Sequence, residues 1–307
     1  MMLGSFFFKH KARQALKGNW QTALLVTFFS GIFLTVAQVA QSVTMQDINP
    51  LMSSLSMTLG AMPEGLTPES AHYHEVLDLY RRLYAAVTSV PQSTWALLLG
   101  GNLLALIVTP VLNVSLSHYF IRRIDGEDIG FVSGLTARLN LFFRSLWLYV
   151  IMAVKIFLWS LLFIIPGIIA ALRYSMAAFY LAEDPSLTAR QAIRKSKDSM
   201  QHMKMSYFML QLSFIGWNLL ISLVQMFLLD MNPVISLVVA QFLSLAVSTY
   251  MNASCAAFYC AVSRPGGMEG LVRDARSHFH EMGMDESPFD EIEENMNDQS
   301  NDGDDKQ

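Results

Sequence analysis

The sequence predicts an all-α, multi-pass integral membrane helix bundle with about six transmembrane helices. Three observations lead to this prediction. Of the 307 residues, 53% are hydrophobic and only 15% are charged, whereas a soluble chain usually carries about 25% charged residues. The apolar residues form blocks that reach the ~20 residues a helix needs to cross a bilayer. The basic residues gather mainly between these blocks, as they do in the cytoplasmic segments of membrane proteins.

Charge divides the chain into a basic body and an acidic tail. Residues 281–307 contain 11 acids and one base, which leaves residues 1–280 with a net charge of +6. We therefore expect a basic amphipathic helix over 1–19, a membrane domain over 20–262 and an acidic cytoplasmic tail over 263–307. The tail has too few apolar residues to form a core and is predicted to be disordered.

The N-terminal segment combines cations with apolar residues at helical spacing. Lys9, Lys11, Arg13 and Lys17 form its basic cluster. Such a helix is typical of segments that lie on an anionic leaflet. The first span follows over 20–43, and its apolar block is longer than the 7–15 residues of a signal peptide, so we expect it to be retained.

One long loop, 44–92, is predicted to lie outside the cytoplasm. It contains a helix start at Thr67-Pro68-Glu69, where a capping residue precedes proline at the first helical position. Apolar residues then recur three and four apart as far as Pro91, which predicts an amphipathic helix outside the bilayer. The second span is predicted over 93–119.

The apolar stretch 146–183 decides the topology. It is too long for one crossing and is broken once, around Pro166 and Gly167, which we interpret as a structural hinge. Two crossings, 146–165 and 167–183, place every basic segment and both termini on the cytoplasmic side, and this favours six spans over five. The alternative for the second half is a re-entrant helix, because 167–181 is only ~22 Å long as a helix.

A second basic interfacial helix is predicted to run from Asp184-Pro185 to about Met203. Its small and apolar residues share one face and its cations occupy the rest. The last two spans are predicted over 207–229 and 234–259.

Two cations fall inside predicted spans, Lys155 and Arg173, and no span has an acid in its interior to pair with them. Because a charge inside the bilayer is expensive, one interpretation is an inward-facing cationic cavity that binds an anionic lipid or small molecule. In the other interpretation, Arg173 reaches the outer interface and Lys155 reaches water or carbonyl groups.

The tail contains a short helical motif that starts at Ser287-Pro288. Phe289, Ile292 and Met296 fall on one face of this helix. They are a candidate docking motif that folds on a protein partner. The alternative is an acidic tail that only keeps the chain soluble.

No catalytic or metal-binding pattern is found in the sequence. Phosphate-loop, nucleophile-elbow, zinc-protease and redox-pair motifs are absent. Cys255 and Cys260 lie five residues apart in the last apolar block, which is neither a zinc spacing nor a disulfide framework. We therefore expect a non-enzymatic protein with no cofactor, no metal and no nucleic-acid partner.

Five ordered motifs over about 5–260 resemble a bacterial family of unknown function, domain of unknown function 975. They are Lys-Ala-Arg-Gln-Ala-Leu-Lys-Gly-Asn-Trp at 11–20, Ile-Ile-Pro-Gly-Ile-Ile at 164–169, Leu-Arg-Tyr-Ser-Met-Ala at 172–177, Ala-Ile-Arg-Lys-Ser at 192–196 and Leu-Ser-Phe-Ile-Gly-Trp at 212–217. The family is distantly similar to the membrane domain attached to some glycerophosphodiester phosphodiesterases, whose catalytic domain this chain lacks. The resemblance implies a multi-pass protein of a bacterial cell membrane and assigns no functional residue.

Two functions are compatible with these observations. The first is binding or transport of an anionic lipid or small molecule through a cavity at the broken helix pair, with Lys155 and Arg173 as ligand-binding residues. The second is a non-catalytic membrane scaffold that recruits partners through its basic inner face and its acidic tail. In both cases the anionic inner leaflet of the bilayer is a partner of the basic helices.

Overall fold

A computed structural model describes residues 5–45, 48–61, 71–229, 233–281 and 289–290, and within these ranges the chain is helical and contains no strand. The helices are α1 (Ser5–Leu16), α2 (Trp20–Thr44), α3 (Ile48–Gly60), α4 (Ala71–Ser89), α5 (Gln92–Ile124), α6 (Phe131–Thr136), α7 (Phe142–Leu162), α8 (Ile164–Tyr174), α9 (Ala177–Glu183), α10 (Ala189–Ser199), α11 (Lys204–Leu229), α12 (Pro233–Ser263) and α13 (Gly267–Glu281).

The predicted fold class is confirmed. By length and composition, six helical stretches are able to cross a membrane: Trp20–Gln38, Gln92–Ile124, Phe131–Leu162, Ile164–Glu183, Lys204–Leu228 and Val238–Ser263. Each of them overlaps one of the six predicted spans. The helices extend past several predicted ends, most of all α5, which continues to Ile124, and α12, which continues to Ser263.

The described chain divides into two compact units. Unit 2 comprises residues 31–109. In it α3 and α4 face each other across an apolar groove lined by Leu55, Leu59, Tyr73, Val76, Leu77 and Tyr80. Helix α4 coincides with the amphipathic helix expected in the long loop, whereas α3 was not predicted. The predicted helix start at 67–69 lies outside the described residues.

Unit 1 comprises residues 1–30 and 110–307. One part of it is a continuous buried core to which α1, α9, α10, α13 and the adjoining ends of α5, α11 and α12 contribute. We call this part the packed end. Outside it, the apolar side chains of α7, α8 and α11 are exposed. Phe163, Ile164 and Phe227 are 72%, 78% and 75% exposed, which is what lipid-facing residues of a membrane helix require.

Helices α7 and α8 form a hairpin that leaves the packed end and returns to it. At the start of α7, Arg144 donates a hydrogen bond to the carbonyl of Pro185, and Arg138 donates from Nε to the carbonyl of Ala182 at 2.7 Å. The chain therefore enters α7 and leaves α9 at the same end of unit 1. This arrangement supports the two crossings predicted for 146–183.

The break in this hairpin lies at Phe163, three residues before the predicted hinge. Phe163 has extended backbone angles (φ −160°, ψ 155°) between the two helices. Pro166 lies in the first turn of α8, where its missing N–H has no intrahelical partner to lose. Gly167 lies against α7: a Cβ atom there would come within 2.2 Å of Ser160 Oγ and 3.1 Å of Ser160 Cα. The two predicted hinge residues therefore permit the close approach of α7 and α8 and do not form the break.

The structure adds packing at one end of the chain and differs from the prediction at the other. The apolar side chains Phe7, Phe8, Ala12 and Leu16 of the N-terminal helix α1 are buried in the packed end. Residues 267–281, expected to be disordered, form α13, and its Leu271, Val272 and Ala275 are buried in the same core. Residues 282–288 and 291–307, the rest of the predicted disordered tail, lie outside the described residues.

Candidate functional site

The α10 helix begins four residues later than predicted. Asp184 and Pro185 form a turn, in which Asp184 Oδ1 accepts hydrogen bonds from the hydroxyl and the backbone N–H of Ser186. These bonds, first the one from the hydroxyl, hold the pKa of Asp184 below its ordinary value. Thr188 is the true N-cap and forms a capping box with Gln191. The helix axis is therefore fixed by two local motifs at its start.

One face of α10 packs against the hairpin formed by α7, α8 and α9. The buried residues of α10 are Ala189, Ala192, Ile193 and Ser196. Ser196 joins the helix to the break between α8 and α9: its Oγ donates to the carbonyl of Arg173 at 2.8 Å and accepts from the backbone N–H of Met176 at 3.2 Å. Ser196 thus satisfies backbone groups that the break leaves unpaired.

The opposite side of α10 carries four exposed cations. They are Arg190, Arg194, Lys195 and Lys197, which we call the α10 cations. Arg190, Arg194 and Lys197 follow the i, i+4, i+7 spacing and therefore share one side of the helix. Lys195 lies within electrostatic reach of Asp184. None of the four side chains forms an ion pair or a hydrogen bond with another described residue.

Two acids near the packed end, Asp125 and Glu183, are already engaged by another arginine. Arg264, just after α12, donates hydrogen bonds to both carboxylate oxygens of Asp125 and, at 2.8 Å, to Glu183 Oε1. The bond to Asp125, followed by that to Glu183, raises the pKa of Arg264. The hydroxyl of Tyr259 donates to the second oxygen of Glu183. This network ties the ends of α5, α9 and α12 together and leaves neither acid available to the α10 cations.

The two predicted ligand-binding cations lie on the same hairpin. Lys155 is exposed on α7, and its Nζ lies 5.5 Å from the ring centroid of Tyr174 on α8. Arg173 is the neighbour of Tyr174 and is half-buried. Because Ser196 binds the Arg173 carbonyl, both cations lie near the break that α10 covers.

Of the three predicted docking residues, only Phe289 is described. It is 2% exposed, and its ring packs edge-on against Phe7 of α1 and Phe279 of α13, with centroids 5.7 Å and 5.1 Å apart. Ile292 and Met296 lie outside the described residues. In this structure Phe289 contacts its own chain.

Sequence reasoning missed the Arg264 network and the packing of α13. Asp125 and Arg264 are 139 residues apart, and no local pattern joins them. For α13 a signal was present: Leu271, Ala275 and Phe279 recur four residues apart, the spacing of one helix face. Among the described residues, no group of three or more histidine, cysteine, aspartate or glutamate side chains is placed to hold a metal ion. Both cysteines are buried and free.

Comparison with known proteins adds one observation. Residues 161–265 match the model of a family described as a protein of unknown function, DUF975. The matched segment contains all of α8, α9, α10, α11 and α12, so the α10 cations lie inside it. No curated protein and no solved structure matches the chain. The DUF975 match supports the resemblance to an uncharacterised family and assigns no activity.

Proposed function

We propose that this chain is a non-catalytic protein of a bacterial cell membrane that binds anionic lipid head groups through the α10 cations. The observation that carries the proposal is that four exposed cations, none of them paired with another described residue, stand on a helix packed beside the hairpin with the exposed apolar side chains. Basic helices beside the bilayer are attracted to anionic head groups by about 1 kcal/mol for each Lys or Arg near the surface. Lys155 and Arg173, close to the break that α10 covers, add positive charge for the same ligand class.

The proposal includes an orientation with both termini and the packed end in the cytoplasm. The basic segments of unit 1 meet at the packed end, and basic segments of membrane proteins remain in the cytoplasm. A reporter fused after Asp184 is expected to report a cytoplasmic location, as is one fused at either terminus. An extracytoplasmic reading after Asp184 would reject this orientation.

The test of lipid binding compares two matched charge changes. Arg190→Gln/Arg194→Gln removes two exposed arginines from α10, and Arg81→Gln/Arg82→Gln removes two exposed arginines from α4. Each purified variant is titrated in detergent with phosphatidylglycerol and, separately, with phosphatidylcholine, and bound lipid is counted by native mass spectrometry. The α10 variant should bind phosphatidylglycerol about 30-fold more weakly, from ~1 kcal/mol for each arginine.

The control variant should bind phosphatidylglycerol as the unmodified chain does, and neither change should alter the binding of phosphatidylcholine. Equal phosphatidylglycerol binding by all three proteins would reject the proposal. If the α10 change instead removed a stoichiometric acidic protein and left lipid binding intact, the scaffold function would replace lipid binding.

A further inference from the structure

We infer that the acidic C-terminal tail of this chain covers the α10 cations and competes there with anionic lipid. The inference rests on the proposed function, since it assigns a regulator to the same surface. Three observations support it: an anchor for the tail on the packed end, the charge and length of the residues beyond that anchor, and the difference between α10 and the other basic helix.

The anchor consists of Phe289 and Asp290. The ring of Phe289 lies between Phe7 and Phe279 and is almost completely removed from solvent. Asp290 forms an ion pair with Arg276 of α13, with 2.7 Å between Nη2 and Oδ1. An aromatic contact and an adjacent ion pair together hold residues 289–290 of the tail on the packed end. Helix α10 belongs to the same part of unit 1.

The residues beyond the anchor are opposite in charge to the α10 cations and are long enough to reach them. Residues 291–307 contain seven acids and one base. These 17 residues span up to ~56 Å when extended, at about 3.3 Å for each residue. Helix α5, with 33 residues the longest of the helices that contribute to the packed end, is only ~50 Å long. The tail can therefore reach any exposed position of the packed end, α10 included.

Charge selects α10 as the place where the tail binds. The α10 cations lie within eight residues, 190–197, and lack ion-pair partners among the described residues. Of the four cations of the N-terminal segment, by contrast, Lys11 is paired with Asp274 and the Nζ of Lys9 lies 4.5 Å from the ring centroid of Phe214, so only Arg13 and Lys17 are exposed. A tail with a net charge of −6 gains most by neutralising the denser and unpaired group.

The experiment measures phosphatidylglycerol affinity of the full chain with an altered tail. Glu291→Gln/Glu293→Gln/Glu294→Gln removes three tail acids, and Phe289→Ala removes the anchor ring. Glu75→Gln/Asp78→Asn, on the exposed surface of α4, is the control for a general gain of positive charge. Each change is also placed in the Arg190→Gln/Arg194→Gln background.

The tail-acid variant should bind phosphatidylglycerol at least about threefold more tightly, Phe289→Ala should shift affinity in the same direction, and the α4 control should not. Both gains should vanish in the α10 background, because the competing surface is absent there. Unchanged or weaker binding in the tail variants would overturn the inference. If α10 substitutions still weakened binding in that case, the proposed function would stand; if they had no effect, both would fail.

Carbodiimide cross-linking provides a second measurement that does not depend on lipid. The reagent joins a lysine amine to a carboxylate in direct contact. Cross-links from Lys195 or Lys197 to acids of 291–305 are expected, and added phosphatidylglycerol should reduce them. Cross-links confined to lysines outside α10 would contradict the inference.

Discussion

Helices α1 and α10 are both short, basic and built with one apolar face, yet two cations of α1 contact other helices, whereas none of the α10 cations forms an ion pair or a side-chain hydrogen bond with another described residue. In α1 the cation of Lys9 lies over an aromatic ring and Lys11 is paired with Asp274 of α13. Burial also lowers the pKa of Lys9. The α10 cations are exposed and have no such partners among the described residues. Whether a basic helix offers its charge to a ligand thus depends on the distant segments that pack beside it.

The largest effect is expected for Phe8→Ala in α1. Phe8 is 0% exposed and its ring packs 4.9 Å from that of Phe258. Removing a buried phenylalanine costs about 3–5 kcal/mol, so thermal unfolding in detergent should occur at a clearly lower temperature. Arg194→Ala in α10 is the control and should unfold as the unmodified chain does. A similar decrease in unfolding temperature for both variants would contradict the view that α1 stabilises the fold while the exposed side of α10 does not.

A smaller effect is expected for Ser196→Ala, which tests how α10 is held. The change leaves the backbone N–H of Met176 and the carbonyl of Arg173 without their partner, and an unpaired buried group costs about 1–3 kcal/mol. The unfolding temperature should fall, and phosphatidylglycerol binding should weaken because α10 is less well placed. Ser199→Ala, one turn later and half-buried, is the comparison and should have the smaller effect. If Ser196→Ala left phosphatidylglycerol binding unchanged, the position of α10 set by Ser196 would not matter for lipid binding.

Neutralising one cation on each helix should separate stability from binding. Lys11→Gln breaks a partly exposed pair with Asp274, so the loss of stability should stay below about 1 kcal/mol, and lipid affinity should not change. Arg194→Gln should leave stability unchanged and weaken phosphatidylglycerol binding about fivefold. In a double-mutant cycle, Lys11→Gln and Asp274→Asn should be less than additive. If Lys11→Gln weakened lipid binding and Arg194→Gln reduced stability, the proposed difference between α1 and α10 would be wrong.

The smallest effect concerns acid sensitivity at the start of α10. Ser186 holds the pKa of Asp184 below its usual range, so the folded state favours the carboxylate. This contribution is present at neutral pH and is lost as the pH falls through the lowered pKa of the folded state. Ser186→Ala should therefore flatten the acid side of a plot of unfolding temperature against pH. The same slope in both proteins would show that the Asp184 turn does not contribute.

The sequence predicted what depends on local pattern. The six apolar stretches, the return of 146–183 and the division of α10 into an apolar face and a set of cations follow from periodicity and charge. Local pattern could not predict how α1 packs, because its partners are distant in sequence: Asp274, which pairs with Lys11, lies 263 residues away, and Tyr250, whose hydroxyl donates to the backbone carbonyl of Lys9, lies 241 residues away. Gly167 was predicted to be part of the break. Only the close approach of Ser160 on α7 shows that this glycine lets α7 and α8 pack together.

The central claim is that α10, and not α1, contacts anionic lipid. Amide hydrogen exchange tests it most directly, with the full chain in phosphatidylcholine nanodiscs that contain or lack phosphatidylglycerol. The account predicts that phosphatidylglycerol slows exchange over 189–199 and leaves 5–16 unchanged. Slower exchange over 5–16 with no change over 189–199 would contradict it, as would identical exchange in both kinds of nanodisc.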